Sequence, residues 1–557
     1  MVSIKTMIPT WIREYRRSSA RSDFVAGLTL AAYAIPVAIA YSSLAGLPGQ
    51  AGLYCYLFGG LGYVFFGTSR QLAIGPTAAI SMAVGAALAS LSADDPSRSE
   101  ALAALTALLV GIMGLTGWFL RLSQLVNFVS ETVLLGFKAG AALSIAVTQL
   151  PKLFGVPGGG KGFFERVYEL CLQLGDTNPY VLAFGLAALL LLVAGDKLLP
   201  GRPVALLVVV ASLAVMALTG LGEQGVKVVG VLPQGLPSIQ LPSVSFSDIN
   251  ELIPLAFACL LLSYVESVSA ARTFAAAHQY RVNSRRELLA MGMANVCAAL
   301  GQGYPVAGGL SQSAVNDKAG ARTPAAVIWA SLAIGAVLLF LTGLFRNLPE
   351  VVLGAIVLVA VKGLIDLREL AHVWRVSRFD FNVAMAALMG VLLLGILKGI
   401  LLAAIISILL LLRRASRPHV AFLGRIPGTD RFSDMQRHPD NERIPGVLLF
   451  RVESSLLYFN AEHVEASVLG RLARENEPVR LVVCDLSSSP YLDLAGARML
   501  ARLQAQLAAR GSLLRFVNAH AAVRDLLRAE GLEERVGKIG RKASVASVIA
   551  EFKNENP

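Results

Sequence analysis

Charge is scarce in this sequence. Aspartate, glutamate, lysine and arginine make up 15% of its 557 residues, where soluble globular chains carry about 25%. That shortfall argues against a soluble protein. Cysteine is sparse too. The five (Cys55, Cys171, Cys259, Cys297 and Cys484) are scattered, with no CxxC and no metal-ligand spacing. They read as packing residues, and no metal site is expected. No stretch pairs a nucleophile with a base, cradles a phosphate or clusters metal ligands, so neither an enzyme nor a cofactor is expected. The N-terminal stretch is basic but lacks an apolar core followed by a small-residue cleavage site, so it does not read as a signal peptide.

What the chain has in abundance is apolar sequence, 55% of it hydrophobic. It comes in blocks of roughly 20 residues, the length that crosses ~30 Å of hydrocarbon. Residues 181–194 and 383–397 contain no charge at all. About fourteen such spans can be counted, with uncertain ends. The third (74–91) and tenth (308–320) are short and open on Gly- and Pro-containing sequence. The net charge of +12 suits basic cytoplasmic loops better than nucleic acid. Lys5, Arg13, Arg16, Arg17 and Arg21 precede the first span, and Arg413, Arg414 and Arg417 follow the last. Arg272, Arg281, Arg285 and Arg286 follow the eighth span, and Arg368, Arg375 and Arg378 the twelfth, whereas the loop after the third carries Asp94, Asp95 and Glu100. The positive-inside rule therefore places both termini in the cytoplasm.

After about residue 418 the pattern changes. Residues 446–557 alternate β-like apolar runs (GVLLFRVES, VRLVVCDLS, SLLRFVNA) with helical segments, the signature of a small α/β domain. The expected division is a cytoplasmic N-terminal segment 1–22, a transmembrane domain 23–413, a polar linker 414–445 and the α/β domain 446–557.

Three features inside the membrane part carry chemistry. Gly75-Pro76-Thr77-Ala78-Ala79 reads as a helix start, with Pro76 at the first helical position. Tyr304-Pro305-Val306-Ala307-Gly308-Gly309-Leu310-Ser311-Gln312-Ser313 opens the tenth span in the same way. A helix that begins at mid-membrane turns free N–H groups and its dipole toward an anion. Two broken helices at corresponding places in two halves point to a transporter site. The bland alternative for each is a proline kink. The third feature is Glu266, in the middle of an otherwise apolar span. Burying it ionised is costly, so it is a candidate for coupling proton movement to substrate movement, or else a structural carboxylate paired with Lys138 or hydrogen-bonded to a helix end. Glu131 and Lys138, seven residues apart on one helix face, are expected to form a structural ion pair, direct or through a neighbour. Tyr33 and Tyr41 lie in the first span and by themselves read as packing residues.

These segments resemble the SulP family of anion transporters. The similarity runs through DFVAGLTLAAYAIPVAIAYSSLAGLPGQAGLY (23–54), FFGTSRQLAIGPTAAISMAVG (65–85) and the long stretch 264–324, and the C-terminal part resembles a STAS domain. The resemblance implies a polytopic α-helical membrane protein with a seven-plus-seven inverted repeat and two broken half-helices. A small cytoplasmic α/β STAS domain follows. It implies a substrate site between the third and tenth spans made by Tyr41, Thr77, Ala78, Leu310, Ser311 and Gln312, with Glu266 as the proton-coupling group. A homodimer and an elevator-like motion are also implied. Three features of the membrane part depart from the family pattern. Val37 stands where Gln is usual, and Gln312 stands where a fixed Arg is frequent. Glu266 with Ala270 replaces the Asp and hydroxyl pair of the sodium-dependent bicarbonate branch, which removes an oxygen ligand for Na⁺. Asp493-Leu494-Ala495-Gly496 lacks the hydroxyl that soluble STAS regulators phosphorylate.

The expected function is secondary active transport of a small inorganic anion, sulfate first, by proton-coupled symport in the cell (inner or plasma) membrane. The partners are the anion, protons and lipid, with no nucleic acid. A cytoplasmic partner for the STAS domain is left open. Bicarbonate, a dicarboxylate or anion exchange is the alternative within transport. A membrane-anchored scaffold is the alternative outside it, and neither Glu266 nor the two broken helices would serve a mere anchor.

Overall fold

The computed structural model describes the chain except for residues 1–9, 14, 16, 92–94, 124–129, 161, 200–202, 220, 243–244 and 556–557. Lys5, Arg16 and Asp94 of the charge pattern lie outside the described residues. Two compact units are present, Met1–Ser407 and Ile408–Pro557.

The first unit is helical. Its principal helices are α1 (Arg17–Leu44), α2 (Ala78–Leu91), α3 (Pro96–Phe119), α4 (Glu131–Phe154), α5 (Pro179–Leu198), α6 (Phe246–Ala277), α7 (Ser284–Leu300), α8 (Leu310–Lys318), α9 (Ala325–Phe340), α10 (Glu350–Lys362) and α11 (Arg378–Leu394). Among the described residues α1, α3, α4, α5 and α6 are long and apolar enough to cross a membrane, and α2 and α9 are shorter apolar helices. In lipid there is little hydrophobic drive between helices, so close packing through small residues holds them. α3 runs against α7, where Gly111 and Gly292 leave no room for a side chain: a Cβ on Gly111 would lie 3.0 Å from the Gly292 carbonyl oxygen. α4 runs against α11 even more closely, since a Cβ on Gly136 would lie 1.8 Å from the Ala384 oxygen.

Two very short strands, β1 (Ile74–Gly75) and β2 (Ala307–Gly308), sit inside this helical unit and pair antiparallel, Ile74 with Gly308 and Gly75 with Ala307. Each leads into a half-helix, β1 into α2 and β2 into α8. The expected helix start at Pro76 shifts by two residues. Pro76 and Thr77 are non-helical, α2 begins at Ala78, and the Thr77 carbonyl accepts from Ser81 N–H at 2.9 Å, the geometry of an N-cap. The strand pairing draws Pro76 into the extended segment.

The second unit is an α/β sandwich. Its sheet has the order β4-β3-β5-β6-β7, with β3 Val420–Arg425, β4 Phe432–Asp434, β5 Val447–Val452, β6 Leu481–Asp485 and β7 Leu513–Val517. β5, β6 and β7 are parallel, and β3 is antiparallel to both β4 and β5. Alternation decides the two faces. Phe450, Val482, Cys484 and Phe516 pack under α12 (Ala461–Leu472) and α13 (Leu494–Ala508). Leu449, Leu481, Val483 and Val517 pack with Val545 and Ile549 of α14 (Val545–Glu555). Residues 414–445, read from sequence as a linker, therefore supply two strands of this sheet. Their Pro and mixed charges mark an edge hairpin, not a free tether. Asp493 caps α13: its carboxylate accepts from Gly496 N–H and Tyr458 N–H, each at 2.8 Å.

Candidate functional site

The paired strands bring the N-termini of α2 and α8 together, and side chains hold both breaks open. Gln312 Nε2 donates to the carbonyls of Ala73 (2.9 Å) and Ala307 (3.1 Å), one on each side of the pair, while Tyr56 Oη donates to Gln312 Oε1. Ser313 Oγ accepts from Ala73 N–H at 3.0 Å, and Ser267 Oγ accepts from Gly308 N–H at 2.7 Å. Asn295 Oδ1 accepts from Val306 N–H at 2.9 Å. Non-helical backbone survives at membrane depth only when its polar groups are satisfied in this way.

In front of the two helix starts lies a cavity of about 270 Å³. All seven residues carried over from the family pattern line it: Tyr41, Thr77, Ala78, Glu266, Leu310, Ser311 and Gln312. From α1, Tyr33, Val37 and Tyr41 reach it at four-residue spacing, one face of a helix. From α6 come Glu266, Ser269, Ala270 and Thr273, again one face. The first-turn N–H groups of α2 and α8 have no partner within their own helices, so the two dipoles meet at the cavity. Leu310 and Ser311 are exposed toward it, but Gln312 is buried at 4% exposure. Gln312 thus lines the cavity while its amide is spent on the backbone.

Among the described residues Lys138 is the one basic side chain in this lining. The expected Glu131–Lys138 ion pair is not formed. Seven residues are two helical turns, about 10 Å along the axis, and Glu131 is exposed at the start of α4 whereas Lys138 turns to the cavity. Its acidic neighbour is Glu266. The two attract across the cavity without closing to an ion pair, and Thr77 Oγ1 faces the same carboxylate while making no well-formed hydrogen bond. A buried hydroxyl with no well-formed hydrogen bond, two helix starts and a lysine held off its counter-ion meet at this cavity. Sequence reasoning did not assign Lys138, Ser269, Thr273 or Asp366 to the site. Asp366 lies past the end of α10. The helical spacing of Glu266, Ala270 and Thr273, four residues and then three, was the available signal for the α6 face.

The chain matches the sequence model of the sulfate permease family over residues 21–387 and that of the STAS domain over residues 438–546. A probable sulfate transporter of Mycobacterium tuberculosis is 35% identical over 531 residues, 94% of each chain. Sulfate transporter 2.1 of Arabidopsis thaliana is 32% identical over 95% of this chain and 82% of its own. The fold is that of the murine Slc26a9 anion transporter in the inward-facing state, with a TM-score of 0.89 at 24% identity, covering 99% of this chain and 95% of that one. The family consists of membrane transporters, not enzymes, and this protein belongs to it: it is a member of the sulfate permease family with a C-terminal STAS domain.

Proposed function

We propose that the protein carries sulfate together with a proton across the cytoplasmic membrane, as a homodimer with both termini in the cytoplasm. The observation that carries this reading is the convergence of the α2 and α8 starts with Lys138 and Glu266 on one cavity. Thr77, Ala78, Leu310 and Ser311 would meet the anion through backbone N–H groups and hydroxyls, and Tyr41 would close its far side. Gln312 holds the two helix starts in register.

Charge explains the coupling. With Glu266 ionised, Lys138 is already attracted to an acid and the anion meets a negative neighbour. A proton on Glu266 removes that competitor and leaves Lys138 to the anion. The two cargoes then bind together, as symport requires. Ser269, Thr273 and Asp366 extend the lining toward the ends of α6 and α10, which the charge pattern puts in the cytoplasm. The structure then stands open inward, and an elevator-like movement of α2 and α8 against α4 would carry the site across. The seven-plus-seven repeat, with α2 and α8 as corresponding members, belongs to the same reading. So does a division of labour in which the STAS unit serves assembly or regulation. Neutral Gln312 at a position where the family often has Arg favours one second reading, exchange of a monovalent anion such as bicarbonate. Sulfate uptake into proteoliposomes under an imposed pH gradient, with bicarbonate and chloride as competitors, tests the choice. Uptake driven by an inward proton gradient supports symport, and gradient-insensitive exchange supports the second reading.

A further inference from the structure

A second, larger cavity of about 420 Å³ lies at the other ends of α4 and α10. Lys138 and Lys152 are fourteen residues apart on α4, about 21 Å of helix, so the second cavity lies toward the opposite end of that helix. Three cations from three elements line the second one: Lys152 in the last turn of α4, Arg166 on the helix Phe163–Gln173, and Lys227 in the connection before α6. Among the described residues one acid, Glu350, shares the lining. It sits in the first turn of α10, where the helix dipole already offsets part of its charge. Arg166 has Glu165 beside it and donates to the Gly160 carbonyl at 3.1 Å. Among the described residues Lys227 is in no ion pair. The wall closes with a glycine-rich loop in which Gly158 and Gly160 adopt φ of +76° and +83°, a backbone suited to glycine and able to approach a ligand closely.

Lys152 has a second attachment. Its Nζ donates to Ser43 Oγ at 2.7 Å. Ser43 is in the last turn of α1, the helix that also presents Tyr41 to the central cavity. One ammonium therefore both faces the second cavity and ties α4 to α1. We propose that this cavity captures a small divalent oxyanion before it reaches the central site, and that the bound anion draws Lys152 off Ser43 and loosens the α1–α4 tie. The inference rests on the anion reading of the central cavity and adds a site to it. By the charge pattern, this face is extracellular.

The test uses Arg166→Gln with Lys227→Gln in the full-length protein, and sulfate presented from one face at a time in right-side-out and inside-out vesicles. Loss of two charge-assisted contacts should raise KM at the α4 C-terminal face roughly tenfold or more. KM at the opposite face should not change, and kcat from that face should fall in proportion, because kcat/KM must stay equal in the two directions when pH is equal on both sides. Ser43→Ala, which frees Lys152 without removing a cation, should raise turnover at unchanged KM. Equal KM shifts from both faces, or none, would overturn the capture site. Direct titration of purified protein with sulfate separates this claim from the central one. Wild type should bind two anions, the double variant one, and Lys138→Gln the other one. A single sulfate that persists without Arg166 and Lys227 but is lost with Lys138 refutes the capture site alone. No sulfate binding in the wild type would instead refute the central reading as well.

Discussion

Replacing Glu266 with glutamine should strengthen anion binding at neutral pH, make it independent of pH, and abolish accumulation against a gradient. Glutamine keeps the shape and hydrogen-bonding capacity of the side chain but carries neither its charge nor its proton. Glu266, Lys138 and the bound anion share about 270 Å³. Taking that space as about 8 Å across, unit charges ~6 Å apart at an effective dielectric of ~20 interact by ~3 kcal/mol. An ionised carboxylate thus repels a divalent anion by ~6 kcal/mol, of which the attraction of Lys138 for both offsets a large part. If only about 1.4 kcal/mol of repulsion survives, removing it gives a tenfold gain in affinity. Equilibrium sulfate titration of purified protein at acid, neutral and alkaline pH measures this directly. Wild type should bind more tightly as pH falls, because protonation of Glu266 removes the repulsion. The variant should bind tightly at all three. A variant that keeps the wild-type pH dependence and still accumulates sulfate would show that the proton is carried elsewhere.

Gln312→Ala should lower thermal stability sharply, since it strands Tyr56 Oη and the carbonyls of Ala73 and Ala307 in a dry interior at about 1–3 kcal/mol each. Gln312→Arg should fail in the same way, and a melting temperature equal to wild type in either variant would mean the strand pair does not depend on this amide. Gly136→Ala should prevent α4 and α11 from docking, because the new Cβ would sit 1.8 Å from Ala384 oxygen, whereas Gly117→Ala meets only Leu288 Cδ2 at 3.3 Å and should be tolerated. Size-exclusion profiles of the two purified variants decide that comparison. Truncation after Ser416 should leave sulfate binding intact, because every lining residue of the central cavity precedes it. Truncation after Asp440 should aggregate, because it leaves β3 and β4 without β5 and exposes Leu423. Loss of binding in a monodisperse protein ending at Ser416 would contradict the first expectation.

Much of this arrangement was legible because the breaks are written in residues with few alternatives. Gly75-Pro76 and Gly308-Gly309 interrupt apolar sequence that would otherwise continue as helix, and a lone Glu266 in an apolar span has no ordinary packing role. The strand pair β1–β2 was not legible. Two residues per strand give no periodicity, and the partners lie more than 230 residues apart. The same pairing explains the misplaced helix start, since Pro76 suits an extended segment as well as a first helical turn. Lys138 has two acidic partners by sequence, Glu131 by spacing on its own helix and Glu266 as the other buried charge, and only the tertiary fold shows that the cavity side is the one it faces. Gln312 enters the site through the family resemblance, while its hydrogen bonds to Ala73 and Ala307 depend on the tertiary fold. In the STAS unit, β3 and β4 are short and flanked by Pro and charged residues, so composition concealed strands that pairing with β5 defines.

The central claim is that one cavity binds an anion and a proton together. Its most direct test is sulfate uptake into proteoliposomes of the purified full-length protein, with an inward proton gradient imposed and then collapsed by a protonophore. The account predicts transient accumulation above equilibrium that the protonophore abolishes and that Glu266→Gln never shows, although that variant still binds sulfate. Equal accumulation with and without the gradient, or accumulation by Glu266→Gln, would contradict it.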